Sequence, residues 1–244
     1  MDRKGFIGGS DMPIIAGVNR FKSRLTLWLE KTGRIEPEEL DLETRKLAEP
    51  YILSVARHKE GLVPIEINKR YGIAPFTCEV DFTWHDGTTT QNGEIKTTNY
   101  LWETLPIDYQ IQAQYNLGIT GRTECKLLAM AGWDQYRSYT IKRNNALISE
   151  LGFMAKEFWR LIETNTPPEP ETASDYDMID HSGDIIATAS MEDMIEDIKN
   201  YSEIERKLSS LKDRLKIEIG SHERVISDQG RLLATYRNGR LKIC

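Results

Sequence analysis

Residues 76–99 read "FTCEVDFTWHDGTTTQNGEIKTTN", and the way they pair decides the fold. Phe76, Cys78, Val80, Phe82 and Trp84 alternate with Thr77, Glu79, Asp81, Thr83 and His85. Successive side chains on an extended backbone point to opposite faces, so this period-two pattern predicts a half-buried strand. Asp86-Gly87 is a turn signal, a polar loop follows, and "GEIKTTN" supplies a second strand that folds back as an antiparallel hairpin. On that second strand Glu94 and Lys96 share a face while Ile95 takes the other, and Asp81 lies on the same face as the pair. A carboxylate beside an ammonium is either a surface ion pair worth about 0–1 kcal/mol or half of a catalytic site. Two carboxylates converging with a lysine suit a hard, oxygen-seeking cation such as Mg²⁺, with Lys96 placed to orient or help deprotonate a water.

The flanking sequence is mostly helical. "GGSDMPIIAG" has Ser10 as an expected N-cap with Asp11 and Pro13 in the first turn, and a second helix carries Leu25, Leu27, Trp28 and Lys31 up to Gly33. Leu40, Leu47, Tyr51, Ile52 and Val55 then predict a helix ending at Gly61. After Pro106, Ile107, Ile111 and Tyr115 make a helical stripe with glutamines beside it. Residues 123–131 and 136–142 are apolar-rich strands joined through "GWDQ", and "NALISELGFMAKEFWRLIE" is an amphipathic helix. "NTPPEPETASDYD" reads as a linker. Beyond it, apolar residues three or four apart from Ile195 to Leu215 predict a long helix that packs on the body or on another subunit. A short hairpin around Asp228–Gly230 closes the chain, with Leu232 and Tyr236 facing inward.

The net charge of −6 is unevenly distributed. Residues 163–205 hold thirteen Asp/Glu and one Lys, whereas the first 34 residues hold seven Lys/Arg against three Asp/Glu. A basic body joined to an acidic segment fits a protein that grips a polyanion at one place and repels it at another; the plainer reading is a solvated acidic linker. Cys78, Cys125 and Cys244 are scattered, without metal-ligand spacing, and read as free thiols of a reducing cytoplasm. No run of 18 apolar residues exists, and "MDRKGFIGGS" lacks the apolar core of a signal peptide, so no membrane partner is expected. His58 and His85 read as ordinary polar residues, and Trp28, Trp102 and Trp159 as core.

Seven segments in order, "IGGSDMPIIAG", "LWLEKTG", "KLAEPYI", "EVDF", "GEIKTTN", "YQIQAQYNLGITG" and "FWRLIETNTPP", resemble the YqaJ-type viral recombinases, relatives of phage lambda exonuclease in the PD-(D/E)XK nuclease superfamily. The resemblance implies metal binding by Asp81, Glu94, the Ile95 carbonyl and Glu49, with Lys96 and Gln112 completing the catalytic set and Gln114 a second glutamine beside them. Arg3 and Ser10 fall where the family binds a 5′-terminal phosphate, in keeping with the anion affinity of a helix N-terminus. Where the family usually shows Pro-Asp-Gly, this chain has Val80-Asp81-Phe82.

The expected fold is therefore α/β, a mixed central sheet flanked by helices, with a nuclease core over 1–166, an acidic linker over 167–189 and a long helix plus hairpin over 190–244. The expected function is Mg²⁺-dependent 5′→3′ exonuclease digestion of duplex DNA ends in phage homologous recombination, with Mn²⁺ as substitute. A bacterial host cytoplasm, a single-strand annealing partner and a trimeric ring are implied by the resemblance. The alternatives are an endonuclease cutting internally, and a non-catalytic DNA-binding or assembly module of the same fold.

Overall fold

The computed structural model describes residues 4–37, 42–179, 185 and 187–244. The chain divides into two compact units, Met1–Ile179 and Asp180–Cys244.

The first unit runs through a 3₁₀ turn (Gly9–Asp11), α1 (Met12–Ile15), α2 (Arg24–Lys31), α3 (Leu42–Glu60), β1 (Pro64–Ile73), β2 (Phe76–His85), β3 (Thr90–Thr98), α4 (Ile107–Thr120), β4 (Glu124–Ala131), β5 (Gln135–Lys142), α5 (Asn145–Glu163) and α6 (Ala173–Tyr176). The strands form one sheet in the order β1-β2-β3-β4-β5. It is mixed: β3 and β4 run parallel and the other neighbours antiparallel. A parallel pair needs a crossover, and α4 provides it. On one side Ile52 and Ala56 of α3 pack on Phe82, Ile95, Leu128 and Met130. Towards α4, Ala113 and Leu117 cover Cys125, Leu127 and Ala129. A larger cluster joins α1, α2, α4 and α5 around Trp28, Tyr115 and Phe158.

The hairpin pairs with the expected hand but not as a uniform ribbon. β2 and β3 are hydrogen-bonded only from Phe82–Gly93 to His85–Thr90. Cys78 and Val80 pack in the cluster of α1, α2, α4 and α5, whereas Phe82, of the same parity, packs beneath α3. The change coincides with Asp81. Ile67 faces Phe82 and Lys69 faces Val80, so Asn68, at a φ of +50°, stands opposite Asp81. β1, "PIEINKRYGI", carries little strand signal, because the Ile65-Glu66-Ile67 alternation gives way to the polar run Asn68-Lys69-Arg70; both isoleucines are exposed on this edge strand.

Three further expectations are revised. Ser10 is not a helix cap: Gly8 holds that position, its N–H bonded to Asp11 Oδ2 at 2.9 Å, and Ser10 is exposed within the 3₁₀ turn. Asp11 wins because it is buried and ion-paired with Lys31 at 2.7 Å. Part of the segment read as linker is fastened to the first unit, through a Ser23–Asp175 hydrogen bond and an Arg24–Glu171 ion pair. The second unit has α7 (Ala189–Ile219) and a three-stranded sheet, β6 (Arg224–Ile226), β7 (Leu232–Arg237) and β8 (Arg240–Ile243), rather than a single hairpin. The extra turn is Asn238-Gly239, both at positive φ. Leu232 and Tyr236 are half-buried on the face of buried Ala234. Among the described residues no helix is long and apolar enough to cross a membrane.

Gly93 is a steric requirement of this fold. A Cβ there would stand 2.2 Å from the Phe82 ring, which covers the glycine. Gly93→Ala should therefore cost about 1–3 kcal/mol of stability, and the same change in a Phe82→Leu background should cost clearly less. Urea denaturation of the four proteins measures this coupling; additive losses would contradict the contact.

Candidate active site

The residues singled out on the hairpin do converge. Asp81 stands where β2 parts from β3, and its Oδ2 accepts the Ile95 N–H at 2.7 Å, taking the place of a strand partner. Glu94 is 2% exposed. Both its oxygens are held: Oε2 accepts from Gln112 Nε2 at 3.0 Å and Lys96 Nζ at 3.3 Å, and Oε1 from Asn116 Nδ2 at 2.7 Å. The Lys96 ammonium also lies 5.5 Å from the centre of the Tyr109 ring. Glu49, half-buried on α3, is near enough to Asp81 to feel its charge.

Helix α4 sets the geometry. Tyr109, Gln112 and Asn116 are three and four residues apart, so they share one face, and that face looks onto β3. Gln114 is turned away: its amide donates to the Lys142 carbonyl at 2.7 Å and accepts from the Asn144 N–H at 2.9 Å, tying β5 to α5. Gln114 thus belongs outside the site, and Asn116 and Tyr109 belong inside it. The i, i+3, i+7 spacing of "YQIQAQYN" was the available signal. Asn116 in turn needs Gly9, where a Cβ would lie 2.1 Å from Asn116 Oδ1. The glycines of the N-terminal turn let backbone reach this side chain.

The electrostatics show a shortage of positive charge. Burial, then the charge of Asp81, pushes the Glu94 carboxyl up to about 8 against the pull of Lys96. Asp81 is raised by the same burial, opposed by Lys96 and the Ile95 N–H. Glu49 is raised by burial and by Asp81. Burial disfavours the Lys96 ammonium, yet the Glu94 and Asp81 carboxylates outweigh it and hold its pKa above the ordinary lysine range. In the metal-free protein Lys96 is therefore a charged donor at neutral pH. Three carboxyls near one ammonium, Glu94 buried and the other two half-buried, are the surroundings that a divalent cation would relieve.

The donor set fits such an ion. Carboxylate oxygens dominate; the neighbouring thiols Cys78 and Cys125 are raised by burial, Cys78 to about 12, and stay neutral. Asn116 Oδ1 is buried without a hydrogen-bond partner. Among the described residues no group of three or more His, Cys, Asp or Glu stands close enough to hold a metal ion, so any cation here would rest on one or two carboxylates. Arg3 lies outside the described residues. Ser10 sits beside no helix N-terminus of useful length, since α1 has four residues, so the physical basis expected for a phosphate pocket there is missing.

The comparisons agree with this fold. The crystal structure of an alkaline exonuclease, LHK-Exo from Laribacter hongkongensis, superposes with a TM-score of 0.54 over 67% of this chain and 91% of that one, at 20% identity. LHK-Exo in complex with dAMP gives 0.53 over the same shares, at 18% identity. The chain therefore shares the fold of that structure. No family model matches the chain. The uncharacterized protein YqaJ of Bacillus subtilis (strain 168) is 28% identical over 172 residues, 65% of this chain and 54% of YqaJ, so the chain spans about half the length of that curated relative. In sequence, then, the chain is similar to YqaJ, and in fold to LHK-Exo.

The raised Glu94 pKa has a consequence for stability. In the metal-free protein the folded state keeps a proton on Glu94 between about 4.5 and about 8 that the unfolded state has lost. Folding stability should consequently fall as pH rises through that window, by an amount on the order of a few kcal/mol, and Glu94→Gln should flatten the slope. Denaturant midpoints at pH 5, 7 and 8.5 in a chelator test this; parallel pH profiles for the two proteins would refute it.

Proposed function

We propose that this chain is a metal-dependent deoxyribonuclease that hydrolyses DNA phosphodiesters, acting 5′→3′ from duplex ends. The observation that carries the reading is the pairing of half-buried Asp81 with buried Glu94, closed by Lys96 and by two amides from α4. The exonuclease description of LHK-Exo, and its complex with dAMP, support it.

Asp81, Glu94 and the Ile95 carbonyl, with Glu49 alongside, would hold Mg²⁺, or Mn²⁺ as substitute. The ion supplies neutralising charge at the scissile phosphate and a more acidic water. The chain's own residues do the rest. Gln112 and Asn116 hold the Glu94 carboxylate in one orientation, and the Ile95 N–H does so for Asp81. Lys96, kept protonated, orients the attacking water and donates to charge developing on the phosphate oxygens. Attack of water oxygen on phosphorus breaks one P–O ester bond; the leaving oxygen takes up a proton.

Arg3 and Ser10 remain proposed contacts for a 5′-phosphate on the family resemblance. Because the helix that follows Ser10 has only four residues, internal cutting is kept as the second reading. A role in phage recombination with a single-strand annealing protein, and a ring of three nuclease units in the bacterial cytoplasm, belong to the same proposal.

With Mg²⁺ and end-labelled linear duplex, a 5′-phosphate end should be degraded faster than a 5′-hydroxyl end and closed circles should survive; equal cutting of circles establishes the endonuclease instead. Asp81→Ala, Glu94→Ala and Lys96→Ala should each lower cleavage at least about a hundredfold while DNA binding in Ca²⁺ persists. Asn116→Ala, which removes only a positioning amide, should cost about 10–100-fold. Wild-type turnover in the Lys96 variant, or DNA left equally intact by wild type and variant, would remove the enzyme reading.

A further inference from the structure

We infer that α7 is a self-association element, pairing antiparallel with α7 of a second copy of this chain. The inference is independent of the nuclease reading. The helix has 31 residues, about 46 Å at 1.5 Å per residue. Ile195, Ile198, Tyr201, Ile204, Leu208 and Leu211 lie on it three or four residues apart and are 46–68% exposed. Helices of this kind draw most of their stability from burying such a stripe.

The stripe is nearly symmetric about its middle. With two copies antiparallel and centred near residue 203, Met191 meets Leu215, Ile195 meets Leu211 and Ile198 meets Leu208, with Tyr201 and Ile204 at the centre. Charge selects the same arrangement. Residues 189–205 carry six Asp/Glu and one Lys, whereas 206–219 carry five Lys/Arg and two Asp/Glu. Lys207 and Lys216 are already bonded to Glu203 and Asp213 of the same helix, so the basic surplus sits on Arg206, Lys212 and Arg214. An antiparallel partner sets this basic half against the acidic half of the other copy. A parallel partner would place Glu192, Asp193, Glu196 and Asp197 against their own equivalents, where like charges repel.

The test uses the full chain. Sedimentation at micromolar concentration should give an even multiple of the 28.1 kDa chain mass, six chains where two rings of three pair through α7. Glu192→Lys/Glu196→Lys and Lys212→Glu/Arg214→Glu should each halve it, and mixing the two variants should restore it. In a Cys244→Ser background, which removes the exposed thiol, Ile198→Cys and Leu208→Cys proteins should form a disulfide-linked pair when mixed, and far less alone. A wild-type mass untouched by either reversal, cross-linking of Ile198→Cys to itself, or a single-chain species with protected α7 amides (the helix docked on its own chain) would each overturn the inference.

Discussion

The site depends on one buried carboxylate. Glu94 is almost fully enclosed and has a second carboxyl, Asp81, beside it. Two unit charges 4 Å apart at an effective dielectric of about 20 repel by roughly 4 kcal/mol. The chain meets that repulsion with donors rather than with distance. Lys96, Gln112 and Asn116 converge on Glu94, and a backbone N–H converges on Asp81. Donors of this kind satisfy the carboxylates in part and leave both pKa values raised, so the crevice stays short of positive charge. That residual deficit is what makes cation chemistry the natural reading of the site.

Backbone irregularities serve the same end. A regular β2–β3 ladder would consume the Ile95 N–H in strand pairing; by parting at Asp81, opposite the left-handed Asn68, the strands leave it free for a carboxylate. Gly93 admits Phe82 on the far side of the sheet, and Gly9 admits Asn116 on the near side. Phe82 is thereby accommodated, since the space it needs comes from the glycine opposite.

What was legible in the sequence was whatever local periodicity encodes. Alternation placed Asp81, Glu94 and Lys96 together, and the stripe from Ile111 to Tyr115 identified the helix above them. What local pattern does not encode is which polar side chain of a helix a distant carboxylate will choose. Gln114 and Gln112 look equivalent in "QIQAQ" until the helix is wound, when they fall on opposed faces. The edge strand β1 and the Ser10 cap show two further limits: a polar run, Asn68 to Arg70, cuts the β1 alternation short, and a tertiary ion pair, Lys31–Asp11, overrides a local capping preference.

The charge pattern shows the same limit in a different form. A net −12 over residues 163–205 invites a reading as one solvated or DNA-repelling tract, and by composition alone that reading is complete. The structure divides the tract. Asp175 and Glu171 are engaged with Ser23 and Arg24 of the first unit, whereas Glu192 to Glu205 lie on α7, whose remaining turns are basic. Acid at the start of a helix and base at its end also complement the helix dipole, so this polarity stabilises the isolated helix as well as an antiparallel pair. The dipole accounts only for charge within the first and last turns. Asp197, Glu203 and Arg206 lie well inside, and there the helix dipole gives no reason for the sign to change halfway along. A partner running the other way does.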